Sequence, residues 1–327
     1  METTAPVASL RSAGIVALFL LAFSPSPARA TQQLVLPPET PGILEKIYSF
    51  DLDGAQEAAR QLQKEHPEHP IGYLLESDAL WWRFWCMAAE FKYGMSDARR
   101  RSKLPADQHY LELATTAASL ASAQIQKSDS AEMQFYAGMA DAATARLYAL
   151  RGENRNTARF GVRARDHFLR AKTLDTSLAD ADFGLGLYNY YVDTLSAMAK
   201  IMRFFMGIPG GSKQEGIRLL NHAIADGVLT PGIARFYLAM NLHRYDQQYA
   251  RALNIINALA EKYPSNPLFQ LARGDLYAKL GRKQQALVCY RAAAALPLRD
   301  TDCQARIQQL VRAAITALAL PQEPASP

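Results

Sequence analysis

Five stretches of this chain carry one spacing: a small residue, a larger one four positions later, and a third three positions after that. They are Ala55-Ala59-Leu62, Ala164-Phe168-Ala171, Gly216-Leu220-Ala223, Ala252-Ile256-Leu259 and Ala286-Tyr290-Ala293. In the first, Ala59 stands where a large side chain is expected. In the first and fourth a proline follows five residues on, at Pro67 and Pro264. Positions i, i+4 and i+7 share one face of an α-helix. A small first member lets a second helix cross so closely that the backbones touch, and the large residue four on fills the space beside the crossing. A chain that repeats this pattern is constrained to stacked helical hairpins.

The register supports that architecture. The last two signatures begin 34 residues apart, which is the tetratricopeptide period. Counting 15 residues from Leu62, Ala171 and Leu259 reaches Ser77, Gly186 and Gly274, each a small residue in the first helix of a following repeat. Two linkers echo one another, Glu65 to Pro70 and Lys262 to Pro267. After Pro38 apolar residues recur at helical intervals and strand-like alternation is absent, so the sequence predicts an all-α fold of antiparallel hairpins stacked as a tetratricopeptide-type solenoid. Breaks are expected at 67–70, 94–105, 128–130, 151–154, 175–177, 209–212, 227–232, 264–267, 281 and 297. A long tryptophan-rich helix is expected over 71–93.

The expected organisation is a leader at 1–30, long helices with a degenerate repeat at 31–152, repeats at 153–298, a capping helix at 299–320 and a frayed tail at 321–327. Gly186 and Gly216 lie 30 residues apart where a standard repeat needs 12, so an insert of about 18 residues is expected near 192–211. The leader consists of Arg11, an apolar run from Ala13 to Phe23, and a stretch ending in Ala28-Arg29-Ala30. That run is too short to span a bilayer, and the expectation is an exported protein, periplasmic or secreted. Cleavage after Ala30 leaves 34 basic against 30 acidic residues, too mild an excess to point to nucleic acid. Of three cysteines, Cys86 lies in an apolar helix and is expected as a buried thiol. The sequence leaves open whether Cys289 and Cys303 pair across a hairpin.

The run Phe183-Gly184-Leu185-Gly186-Leu187-Tyr188-Asn189-Tyr190-Tyr191, the apolar basic insert, Pro209-Gly210-Gly211-Ser212-Lys213 and Gly216-Ile217-Arg218-Leu219-Leu220 resemble a group of exported bacterial tetratricopeptide-repeat proteins. More distantly, the run is similar to the eukaryotic tetratricopeptide-repeat-protein-39 and inclusion-body-clearance family. The resemblance covers roughly residues 160–297. It implies a helical repeat scaffold and carries over no catalytic or ligand residue.

No zinc-protease helix, nucleophile elbow or paired CxxC occurs, and no cofactor or catalytic constellation is expected. Several features have both a chemical and a structural reading. The turn at 207–213 could hold an anion on free N–H groups and Lys213, or be a plain turn capped by Ser212. His66 and His69 could offer two ligands to a metal, too few for a catalytic centre, and a structural linker is preferred. Arg155, Arg159 and Arg163 share a helix face, suited to an anionic surface or simply solvated. The same holds for Arg99, Arg100, Arg101 and Lys103. Trp81, Trp82, Phe84 and Trp85 are expected in the core. The stretch 195–208 could meet a membrane interface or a docking partner, or cover the stack.

The expected function is a non-catalytic scaffold of the cell envelope that holds a protein or peptide on the concave face of its repeats. Register places Tyr190, Tyr191, Tyr237, Asn241, Arg244, Asp275 and Lys279 there. The alternative is a membrane-peripheral protein using the insert and the arginine stripe. The oligomeric state is not legible.

Overall fold

A computed structural model of the protein describes residues 1–2, 34–99, 102–205 and 207–319. The expected leader beyond its first two residues, Arg100, Arg101 and the expected tail lie outside these. The chain from Gln32 onward forms one compact unit.

The described residues form fourteen helices and one two-stranded hairpin. The helices are α1 (Thr40–Tyr48), α2 (Leu52–Glu65), α3 (Ile71–Ala88), α4 (Ala106–Lys127), α5 (Ala131–Arg151), α6 (Asn154–Leu174), α7 (Asp180–Asp193), α8 (Ala197–Phe205), α9 (Lys213–Asp226), α10 (Pro231–Arg244), α11 (Tyr249–Lys262), α12 (Pro267–Lys279), α13 (Lys283–Ala295) and α14 (Thr301–Ala319). Antiparallel strands β1 (Ala89–Lys92) and β2 (Met95–Ala98) follow α3. Consecutive helices pack against each other, with α7 pairing to α9 across the insert that carries α8. The fold is an all-α stack of hairpins.

The repeated spacing is the buried stripe of the second helices. In α6 the buried residues are Ala164, Phe168 and Ala171; in α9 they include Gly216, Leu220 and Ala223; in α13 they include Ala286, Tyr290 and Ala293. At the α7–α9 crossing, a methyl group on Gly216 would lie 2.7 Å from the Gly186 carbonyl oxygen, and one on Gly186 would lie 3.0 Å from that of Gly216. Only hydrogen fits on either side. Phe168 lies so close to Gly138 and Gly184 that no side chain fits at either, and Tyr290 does the same at Gly274.

Two local expectations are corrected. The helix over 71–93 ends at Ala88, and Phe91 and Met95 belong to strands. Tyr93 (φ 56°) and Gly94 (φ 70°) are both left-handed, as a type I′ hairpin turn requires of its two central residues. Cys289 is a free buried thiol, while Cys86 is bonded to Cys303 with Cα atoms 5.9 Å apart. Cys303 faces α3 rather than α13, because α14 packs back on the start of the chain.

That contact is part of a larger closure. Trp82 of α3 packs on Phe236 of α10 (ring centroids 4.8 Å apart) and Phe269 of α12 (5.6 Å), and Trp85 also meets Phe236 (5.5 Å). The four aromatic residues of α3 expected in the core are buried. Asn266 Nδ2 donates to the Tyr48 carbonyl (2.8 Å), and Ser265 Oγ donates to that of Ser49 (2.7 Å). Arg83 pairs with Asp300 (3.2 Å), and Arg306 Nε donates to the Ala89 carbonyl (2.6 Å). The first hairpins therefore fill the inner side of the last ones.

Candidate functional site

The inner side of α10 and α12 is where a tetratricopeptide groove would take a ligand, and here the chain supplies its own. Alongside the α3 tryptophans, β2 lies on α12. The backbone N–H of Ser96 donates to Asp275 Oδ2 (2.5 Å), and the Tyr290 hydroxyl donates to Asp275 Oδ1 (2.8 Å). Arg244 reaches Asp97 of the same strand (2.7 Å). Asp275 is fully buried, and burial raises its carboxyl to about 7 against the pull of the two donors and Lys279. Asp97 is raised for the same reason, partly offset by Arg244 and Arg99. Burial also lowers His243 to about 4, with nearby Lys279 adding to the effect.

This fixes the position of each residue expected to contact a partner. Tyr190 is buried at the α7–α9 crossing, its hydroxyl donating to Asp246 (2.6 Å) and the Asn241 carbonyl (3.1 Å), so burial and the Asp246 carboxylate raise its pKa. Asn241 and Asp275 are also buried; Asp275 is held by Tyr290 and Ser96, whereas Asn241 meets Tyr190 only through its backbone carbonyl and its Nδ2 has no hydrogen-bond partner among the described residues. Tyr237 is half-buried beside Phe183 and Phe236. Arg244 and Lys279 are exposed, and Tyr191 is partly so. Tyr245, which register did not single out, joins them: Arg244 stacks over its ring at 5.2 Å and Tyr191 meets it edge-on at 6.4 Å. The accessible remainder of the expected groove is thus a rim of Tyr191, Arg244, Tyr245 and Lys279. Its signal was in the sequence: Tyr245 follows Arg244 at the end of the same helix.

After α7, Lys200 of α8 pairs with Asp193 at the end of that helix (3.1 Å), and Arg203 Nη1 donates to the Ile208 carbonyl (3.0 Å). With the cations so engaged, Leu195, Met198 (68% exposed) and Ile201 (52% exposed) face outward at three-residue intervals. A row of apolar side chains this exposed is unusual on a surface helix, which ordinarily turns mainly polar residues to water. The turn before α9 is not free to take an anion. Ser212 caps α9, the Lys213 N–H donates to Asp193 (2.9 Å), and Lys213 Nζ pairs with Asp246 (2.5 Å).

On α6, Arg155, Arg159 and Arg163 are exposed on one face, with Arg163 paired to Asp141 (3.1 Å). Arg151 lies instead in a buried bidentate pair with Asp107. His66 and His69 diverge. His69 accepts from the Ile71 N–H (3.2 Å) and packs on Tyr136, whereas His66 comes together with Glu39 and Glu65. All three members of that group are exposed, so nothing there displaces water in favour of a metal. Among the described residues, no helix is long and apolar enough to cross a membrane.

No protein-family model matches the chain, and no curated protein matches it. Among solved structures it is similar to the crystal structure of the yeast Tom70, with 12% identity and a TM-score of 0.28, over 83% of this chain and 87% of that one.

Proposed function

We propose that the protein is an exported, non-catalytic interaction scaffold of the cell envelope that holds a protein or peptide against the open rim of its repeats. The observations that carry this reading are the Tyr191–Arg244–Tyr245 cluster and the exposed apolar residues Leu195, Met198 and Ile201, which follow the end of α7 two residues after Tyr191. Tyrosine and arginine are enriched among the residues that dominate binding energy, and a neighbouring apolar surface supplies the area to be desolvated. Export is supported by the Cys86–Cys303 bond, which an oxidising compartment sustains.

Cross-linking in cells followed by identification of co-purifying proteins tests it, with Tyr191→Ala/Arg244→Ala and Met198→Glu/Ile201→Glu run beside the wild type. A defined partner recovered from the soluble fraction and lost at least tenfold with either pair of substitutions is the expected result. The same outward face of α8 favours one second reading, a membrane-peripheral protein. Sedimentation with membranes that only the α8 substitutions abolish would replace the first reading with that one.

A further inference from the structure

A second surface shares no residue with that rim. An open cleft of about 700 Å³ lies where the start of α4 meets the end of α5. Leu104, Leu111, Leu147 and Tyr148 form its apolar lining, and Thr115 and Thr116 line it too. Of the acidic residues along it, Asp107 is paired with Arg151 (2.5 and 2.6 Å) and Glu153 with Lys103 (3.3 Å) and Asn156 (2.8 Å), while Glu112 accepts from the neutral Gln108 amide (2.9 Å) and lies 4.0 Å from His109.

The cleft runs into the arginine face of α6. Tyr148 stacks on Phe160 (centroids 5.7 Å apart, planes 29° from parallel), and Arg159 and Arg163 lie over the same Phe160 ring at 5.8 and 5.1 Å. Stacking limits the rotamer freedom of these guanidinium groups before anything binds, which lowers the ordering cost of binding. Arg163 already has Asp141. Neither Arg155 nor Arg159 has a carboxylate within ion-pair distance among the described residues, although both are exposed. An apolar slot bordered by cations without counter-charge calls for a ligand of the opposite pattern.

We propose that this cleft and the Arg155–Arg159 ledge form a docking site for an acidic segment of a partner protein, with an aliphatic or aromatic side chain seated between Leu111 and Tyr148 and carboxylates on the two arginines. Carboxylate–guanidinium pairing supplies orientation and the slot supplies burial.

Fluorescence anisotropy tests it, using a labelled 14-residue peptide of alternating Glu and Leu/Phe turns, its Lys-for-Glu counterpart, and its Ser-for-Leu/Phe counterpart. The disulfide-intact protein is titrated at about 50 and 200 mM salt. The acidic apolar peptide is expected to bind at least tenfold more tightly than either counterpart and to weaken with salt. Arg155→Glu/Arg159→Glu, on exposed side chains without ion partners, should retain the wild-type circular dichroism and lose at least tenfold in affinity. Leu111→Glu, which removes apolar lining and repels an acidic ligand, should lose a similar factor, and Thr115→Glu repeats that test from an exposed position should Leu111→Glu fail to fold. Equal binding of the lysine peptide, or affinity unchanged in the double arginine variant, overturns the proposal. So does binding to phosphatidylglycerol vesicles through the ledge without binding of the acidic peptide, which would assign the arginines to a membrane.

Discussion

Asp275 is a carboxylate held in the interior by the Ser96 N–H and the Tyr290 hydroxyl, and its titration is coupled to folding. Its ordinary value is 3.8 and its folded value about 7. As pH rises from about 4 to 7, the unfolded chain gives up this proton while the folded chain keeps it. This group's contribution therefore falls across that window, by at most about 4 kcal/mol, and is constant above it. His243 acts in the opposite sense between about 4 and 6.5, because its folded pKa is lowered and protonation favours the unfolded chain. Asp275→Asn, which can still accept from Ser96 and donate to Tyr290, should remove the falling component. Urea denaturation from pH 4 to 7.5 is expected to show the variant gaining on the wild type as pH rises, and parallel profiles would refute the assignment. A second prediction concerns the α7–α9 crossing, where the methyl of Gly216→Ala would meet the Gly186 carbonyl and the Tyr190 N–H at 2.7 and 2.8 Å. Both obstacles are backbone, so the helices must separate, at about 2 kcal/mol or more on the same denaturation curve. The small-residue register announced this crossing in sequence, since it is a local rule repeated in each hairpin. Nothing local announced Ser96 as the partner of a carboxylate 179 residues away.

Among the elements, the hairpin at 89–98 was the one hidden from periodicity. Four-residue strands are too short for an alternation signal, and Tyr93-Gly94 reads equally as a helix stop. Its position matters because Cys86 and Ala89, at its base, are tied to α14 by the disulfide and by Arg306. The bond closes a loop of 217 residues, so Cys86→Ser/Cys303→Ser is expected to lower stability by about 3–5 kcal/mol in a urea titration. Hydrogen exchange should show the loss of protection reaching the Ser96 amide. The spacing of Cys289 and Cys303 suggested neighbouring helices, which they occupy. Which thiol faces which was set by the helix that α14 packs on. For α8 the sequence showed an amphipathic insert, but which of its residues meet water depends on the pairing of Lys200 with Asp193 and of Arg203 with the Ile208 carbonyl. Met198→Glu/Ile201→Glu places charge where apolar groups already meet water, and should shift stability by less than about 0.5 kcal/mol while changing binding.

At the scale of the molecule, the repeats form a stack whose ends meet, with Trp82 between Phe236 and Phe269 as the central contact. An open repeat array gains stability from nearest neighbours and can unfold from its ends. A closed one ties its first and last hairpins into a single unit. Trp82→Ala is expected to cost about 3–5 kcal/mol and to lower the melting temperature seen by probes in α2 and α13 equally. Loss confined to the N-terminal helices would show that the ends are independent. The closure also explains which of the expected contact residues remain available, because α3 and β2 occupy the groove and leave Tyr191, Arg244, Tyr245 and Lys279 at its edge. The helical hairpins, their crossing glycines and alanines and the buried stripe of each second helix were determined by the sequence alone, since each follows from residues within one or two turns of one another. Closure of the stack, the Cys86–Cys303 pairing, the filling of the groove and the outward face of α8 were decided only by tertiary structure. Each depends on accumulated rotation from one hairpin to the next, and no local pattern of side chains encodes that sum.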